Sequence, residues 1–112
     1  MMSSAHRGAP RGGYVYVVTA RFPVDGPVAE WQRWYDEVHV PQMLSVPGVH
    51  GVRRYRDLQE ADTFAAVYDI ESPAVFAEPR YQEVRGWGPW AETILEWRRD
   101  LLRREPIDAG AS

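Results

Sequence analysis

Residues 90–103 read WAETILEWRRDLLR, and the fold turns on how they end. Trp90, Ile94, Trp97 and Leu101 are spaced 4, 3 and 4, the pattern of an amphipathic helix. Trp97 to Arg103 also reads as an edge strand. Upstream, the elements run strand, helix, strand, strand, helix, an order that lacks one last strand. A strand here completes β-α-β-β-α-β, the ferredoxin-like α+β arrangement with a four-stranded antiparallel sheet. Periodicity favours the helix and topology the strand. We take the strand as the working expectation and keep the helix open.

The upstream elements are clearer. Tyr14 to Ala20 (YVYVVTA) is rich in β-branched and aromatic residues, apolar on both alternating faces. From Pro27 to about His39 the pattern is helical, with Val28, Trp31, Trp34, Tyr35 and Val38 on one arc opposite Glu30, Arg33 and Glu37. Pro41 is expected to end this helix, with at most a short turn over residues 42–45. Pro47-Gly48 is a turn. Strands follow over Val49 to Arg56 and Thr63 to Ile70, joined by the polar hairpin 57–62. Ser72-Pro73 reads as the cap and first residue of a second helix ending near Pro79 or Val84. Residues 1–12 and 106–112 read as disordered tails around a single domain, 13–105. The helices of this arrangement cover one sheet face only. The strands apolar on both sides at 14–20 and 63–70 therefore predict a homodimer packed sheet against sheet.

Composition narrows the chemistry. The 112 residues carry no Cys, which excludes disulfides, thiol nucleophiles and thiolate metal sites. All 13 basic residues are Arg, so Schiff-base and P-loop lysine chemistry are absent as well. A net charge of -3 argues against nucleic acid as a partner. No apolar run approaches the roughly 20 residues of a membrane span, and no secretory signal is legible, so a cytoplasmic location is the expectation. Five Trp, six Tyr and three Phe are many for so short a chain, and suit either a core or a small-molecule pocket.

The stretch Trp34-Tyr35-Asp36-Glu37-Val38-His39-Val40-Pro41, followed by Val46-Pro47-Gly48-Val49 and Arg54-Tyr55, resembles the dimeric α+β barrel superfamily, and within it the EthD-type proteins. The resemblance covers roughly residues 13–104. It implies the ferredoxin-like fold, but not one activity, because the superfamily hosts lactone isomerases, polyketide cyclases, cofactor-free oxygenases, haem enzymes and non-enzymes. In the methylmuconolactone isomerase branch a His at the place of His39 is implicated in proton transfer. That branch also relies on a Cys, which this chain lacks. Haem-binding members use a proximal His on a different element, with no counterpart here.

His39 is the first candidate for chemistry. It falls at the edge of the apolar arc, where an imidazole poised near neutrality serves as a general base. Tyr35 and Asp36 lie one helical turn before it and are the expected catalytic partners, with Asp36 orienting the ring. A helix that ends at Pro41 would favour the imidazolium, while burial would favour the neutral ring. The alternative is a structural His that caps the helix. His50 could approach His39 across the helix–sheet cleft, but no HxH or HxxxH spacing supports a metal site, and none is expected.

Substrate-binding candidates are Tyr16 and Tyr68, on neighbouring strands, together with Arg85, Trp87 and Trp90. The last three sit in the Gly/Pro-punctuated loop RGWGPW, where two Trp either plug the core or form a lid over a pocket. Arg85 suits a substrate carboxylate or phenolate. No nucleotide, flavin or serine-hydrolase motif is present, so no cofactor is expected. The leading expectation is a cofactor-independent enzyme that cyclises, isomerises or dehydrates a hydrophobic aromatic or polyketide-like molecule. A cofactor-free oxygenase of the same fold and a non-catalytic dimeric ligand-binding or accessory protein are the alternatives.

Overall fold

The computed structural model describes residues 12–106. The expected tails, 1–12 and 106–112, lie almost wholly outside them. Four strands form one antiparallel sheet: β1 (Tyr14–Arg21), β2 (Val49–Arg56), β3 (Thr63–Ile70) and β4 (Glu96–Arg103), in the order β2-β3-β1-β4. This is the ferredoxin-like α+β fold. Residues 96–103 are therefore strand, and β1 holds them along its whole length, from Tyr14 opposite Arg103 to Arg21 opposite Glu96. Backbone pairing outweighs the helical periodicity of Trp90, Ile94, Trp97 and Leu101.

Register sets what each face carries. Tyr16 lies opposite Tyr68 and Leu101, Val18 opposite Ala66 and Arg99, and Ala20 opposite Phe64 and Trp97. Alternation sends this set to the face covered by the helices, where Ala20, Phe64, Ala66, Tyr68 and Ile70 are buried. The opposite face carries Val15, Val17, Thr19, Ala65 and Val67 down its centre, flanked by the ion pairs Arg53–Asp69 and Arg98–Asp100.

The first helical layer differs from a plain helix. It runs as α1 (Val28–Trp34), a single wide π turn (Tyr35–His39), and α2 (Val40–Leu44). The amide of Val40 bonds the carbonyl of Tyr35, five residues back. Pro41 thus does not end the layer: a proline disturbs an α-helix through its missing N–H and its clash with carbonyl i−4, and the wide turn before it relaxes both. The turn also changes which side chains face the sheet. Trp31, Tyr35, His39 and Met43 are all buried, at a strict spacing of four, whereas Val38, expected on the apolar arc, is 41% exposed.

The second layer is shorter. Ser72 accepts a hydrogen bond from Ala74 N at 3.1 Å and starts a 3₁₀ turn (Pro73–Ala77), followed by α3 (Pro79–Val84). Gly48 has φ +92, and a Cβ there would stand 2.7 Å from Val75, so the Pro47-Gly48 turn requires glycine. Between Val49 and Gly51 the β2–β3 register slips. The strict alternation that would place His50 breaks at this point, and its Nε2 instead lies 2.6 Å from Glu71 Oε1. His50 does not line the cavity that holds His39.

Candidate functional site

A cavity of about 280 Å³ opens between the helical layer and the covered sheet face. Tyr16 and Val18 of β1, Tyr68 of β3, and Trp97 and Arg99 of β4 form its floor. Tyr35, His39 and Met43 line it from the first layer, and Tyr81, Arg85, Gly86 and Trp87 from α3 and the segment after it. Strand alternation aims the floor residues, and the spacing of four aims Tyr35, His39 and Met43. Gly86, at φ +100, turns the chain so that Trp87 folds back toward the cavity. Its indole then meets Trp31 and Tyr35 at 6.3 Å and Trp97 edge-on at 5.9 Å.

His39 is 6% exposed and meets the ring of Tyr35 edge-on at 4.9 Å. Its Nδ1 has no hydrogen-bond partner among the described residues. Burial pushes the imidazole down to about 4, the Gln42 side chain offsets part of this, and the nearby Arg54 charge adds to it. The expected balance near neutrality is therefore not what the structure holds. The layer continues through Pro41, no free helix end faces the ring, and His39 is a neutral imidazole at pH 7.

Tyr16, Tyr35 and Tyr68 line the same cavity. The hydroxyls of Tyr35 and Tyr68 share a hydrogen bond, and both side chains are fully buried. Burial pushes Tyr35 up to about 12, partly countered by its bond to Tyr68 and the charge of Arg54. Tyr68 and Tyr16 are raised further, chiefly by burial. All three stay protonated at neutral pH and can donate a hydrogen bond. Arg54 lies 4.2 Å from the ring centre of Tyr35, held there by Asp36 and Gln32.

Most of the residues singled out in the sequence converge here. His39, Tyr35, Tyr16, Tyr68, Arg85 and Trp87 line one cavity. Asp36 does not: its carboxylate, 59% exposed, pairs with Arg54 outside the cavity and does not orient His39. Trp90 does not line it either, and packs against the core instead. Trp97, Arg99, Met43 and Tyr81 are additions. Period-2 alternation from Trp97 places Arg99 and Leu101 on its face, a signal masked while 90–103 also read as helix.

Among the described residues, no group of three or more His, Asp or Glu side chains is placed to hold a metal. No helix among them is long and apolar enough to cross a membrane.

No protein-family model matches the sequence, and no curated protein matches it significantly. Solved structures do resemble it. SnoaB, a cofactor-independent oxygenase from Streptomyces nogalater, superposes with a TM-score of 0.64 at 12% identity, over 85% of this chain and 95% of that one. A monooxygenase from Streptomyces coelicolor, solved in complex with nanaomycin D, gives 0.58 at 17% identity over 87% and 91%. A dimeric ferredoxin-like protein from an uncultured marine organism gives 0.66 at 12% identity over 87% and 91%. At such identities the likeness is one of fold. The two enzymes among them are oxygenases, whereas the sequence pointed first to a cyclase or isomerase.

Proposed function

We propose that this protein is a cofactor-independent oxygenase of a planar, acidic hydroxyaromatic or polyketide-like molecule, working as a homodimer. The observation that carries the reading is the neutral His39 in a cavity lined mainly by aromatic side chains, where the hydroxyls of Tyr16, Tyr35 and Tyr68 stay protonated. A base this weak suits a substrate that ionises readily. Beside the developing anion the imidazole gains affinity for the proton it accepts, and Tyr16 or Tyr68 donates to the anionic oxygen.

The electron-rich anion then supplies the reducing power itself. A ring-activated CH₂ gives one proton to His39, and the carbanion passes an electron to dioxygen. The two radicals combine as a peroxide anion, which takes the proton back from His39 and becomes a hydroperoxide. The neutral imidazole then removes the remaining C–H proton as the O–O bond breaks, and the departing hydroxide takes that proton and leaves as water, so that CH₂ and O₂ become C=O and H₂O. The cyclisation or isomerisation expected from the sequence uses the same base on a less acidic carbon, which an imidazole held near 4 serves poorly. The dimer reading rests on the uncovered face around Val15, Val17, Ala65 and Val67, and on the dimeric neighbour of like fold.

The test is oxygen uptake with 1,8-dihydroxyanthrone under ¹⁸O₂. One labelled oxygen in the product, one O₂ consumed per turnover, and about a 10²–10⁴-fold loss in His39→Ala are expected. A rearranged product of unchanged mass, formed without oxygen uptake, returns the reading to an isomerase.

A further inference from the structure

Among the described residues, Arg21, Arg53, Arg54, Arg80, Arg98 and Arg103 are paired with carboxylates. Arg85 and Arg99 are different. Both line the cavity, both are exposed at its rim, and neither pairs with a carboxylate among the described residues. Among the described residues Arg33 and Arg56 also pair with no carboxylate, but neither lines the cavity.

Arg99 is held in place. It interacts with the hydroxyls of Tyr16 and Tyr81, both buried and both lining the cavity. Its guanidinium also lies 6.0 Å from the ring centre of Trp97. Neutral partners fix its position and leave its charge uncompensated. Arg85 comes from the wall facing the floor that carries Arg99, immediately before the Gly86 turn that brings Trp87 inward. Apart from Arg99, that floor is apolar and aromatic. Such a site is built for a molecule with a flat apolar body and one anionic end, because a guanidinium fork binds carboxylate oxygens with directed, charge-assisted hydrogen bonds.

We propose that the substrate carries a carboxylate in addition to its reacting hydroxyaromatic part, and that Arg85 and Arg99 receive it at the cavity rim. This deepens the oxygenase reading and rests on it for the identity of the cavity, but not for the reaction. The carboxylate fixes the orientation of the ring system, so that one edge of the molecule faces His39 at the inner end. The two arginines are positioning groups for the anionic end and take no proton.

The experiment compares 2-naphthoate with 2-naphthamide, nearly equal in shape and different in charge, by quenching of tryptophan fluorescence in the full chain. Naphthoate is expected to bind about tenfold or more tightly, with the preference shrinking as salt rises. In Arg85→Gln and in Arg99→Gln the preference falls to within about threefold while naphthamide affinity holds, and Arg99→Lys regains part of it. Arg98→Gln, on the other sheet face, leaves the preference unchanged. Far-UV circular dichroism checks that each variant is folded. Equal affinities in the parent, a preference kept in both Gln variants, or binding of neither probe overturns the proposal. The two readings fail separately: selective naphthoate binding without oxygen uptake removes only the oxygenase, and oxygen uptake without the charge preference removes only the carboxylate.

Discussion

The imidazole of His39 lies flat against the indole of Trp34, with ring centres 5.2 Å apart and planes 12° from parallel. Gly88 approaches the same indole closely. A Cβ built on Gly88 would stand 2.9 Å from Trp34 Cζ2, so the loop backbone presses directly on the indole. The loop carrying Trp87 and the candidate base are thus linked through one side chain.

Gly88→Ala tests that link. Gly88 has φ +56, where an L-residue costs about 1–2 kcal/mol, and the added methyl must displace Trp34. A lower melting temperature is expected, together with a shifted ring resonance of His39 in the NMR spectrum. An unchanged His39 signal in the destabilised variant would show that loop and base are independent.

His39 makes stability depend on pH with a definite sign. Its folded value lies below the ordinary 6.5, so the unfolded chain binds a proton first as the pH falls. Stability is full above about 6.5, declines through the window from 6.5 to 4, and levels off below it. A shift from 6.5 to about 4 corresponds to about 3 kcal/mol. Urea midpoints at pH 7.5 and 4.5 measure it, and His39→Gln should remove most of the difference.

The same neutrality governs turnover. As the base is active when unprotonated, kcat/KM should be flat from about pH 8 to 5 and fall only as the ring protonates. A profile already falling below pH 7 would mean that the working base has an ordinary histidine value.

Tyr35 and Tyr68 should behave as a unit. Replacing either by Phe leaves a buried hydroxyl without its partner, at a cost of about 1–3 kcal/mol. The double Phe variant removes both and should cost less than the sum of the single variants. Chemical unfolding of the four proteins supplies the cycle, and strict additivity would show that the hydroxyls are not coupled.

Val17→Arg addresses the dimer. Val17 lies opposite Val67 on the uncovered face, close to the centre of the sheet. A guanidinium there should leave the monomer folded and abolish self-association by light scattering. A parent protein that is already monomeric at micromolar concentration would refute the sheet-to-sheet assembly.

The strands were legible because period 2, β-branched residues and turn residues agreed over Val49–Arg56 and Thr63–Ile70. The final strand was legible from the order of elements and not from its own residues, since four apolar side chains happen to repeat at helical spacing. That same ambiguity hid Trp97 and Arg99, whose common face exists only in a strand. Tyr35 and His39 were legible as inward residues. Asp36 was misplaced because Arg54, far away in sequence, offers its carboxylate a better partner than the imidazole does. Trp90 was misplaced because a Gly/Pro loop gives no periodicity from which to tell a lid from a plug.

The wide turn at Tyr35–His39 has a consequence for matching this chain to others. A regular α-helix that buried residues 31 and 35 would bury 38 and 42 next, whereas this one buries 39 and 43. The segment therefore holds one residue more than a regular helix needs to span the same positions. Set beside such a helix without a gap, His39 would be paired with a solvent-facing residue, and Val38 with the neighbour's inward one. Both proteins would then look as if their inward-facing group had been replaced. An alignment that opens a one-residue insertion within 35–39 restores the equivalence, and with it the comparison of bases across proteins of this fold.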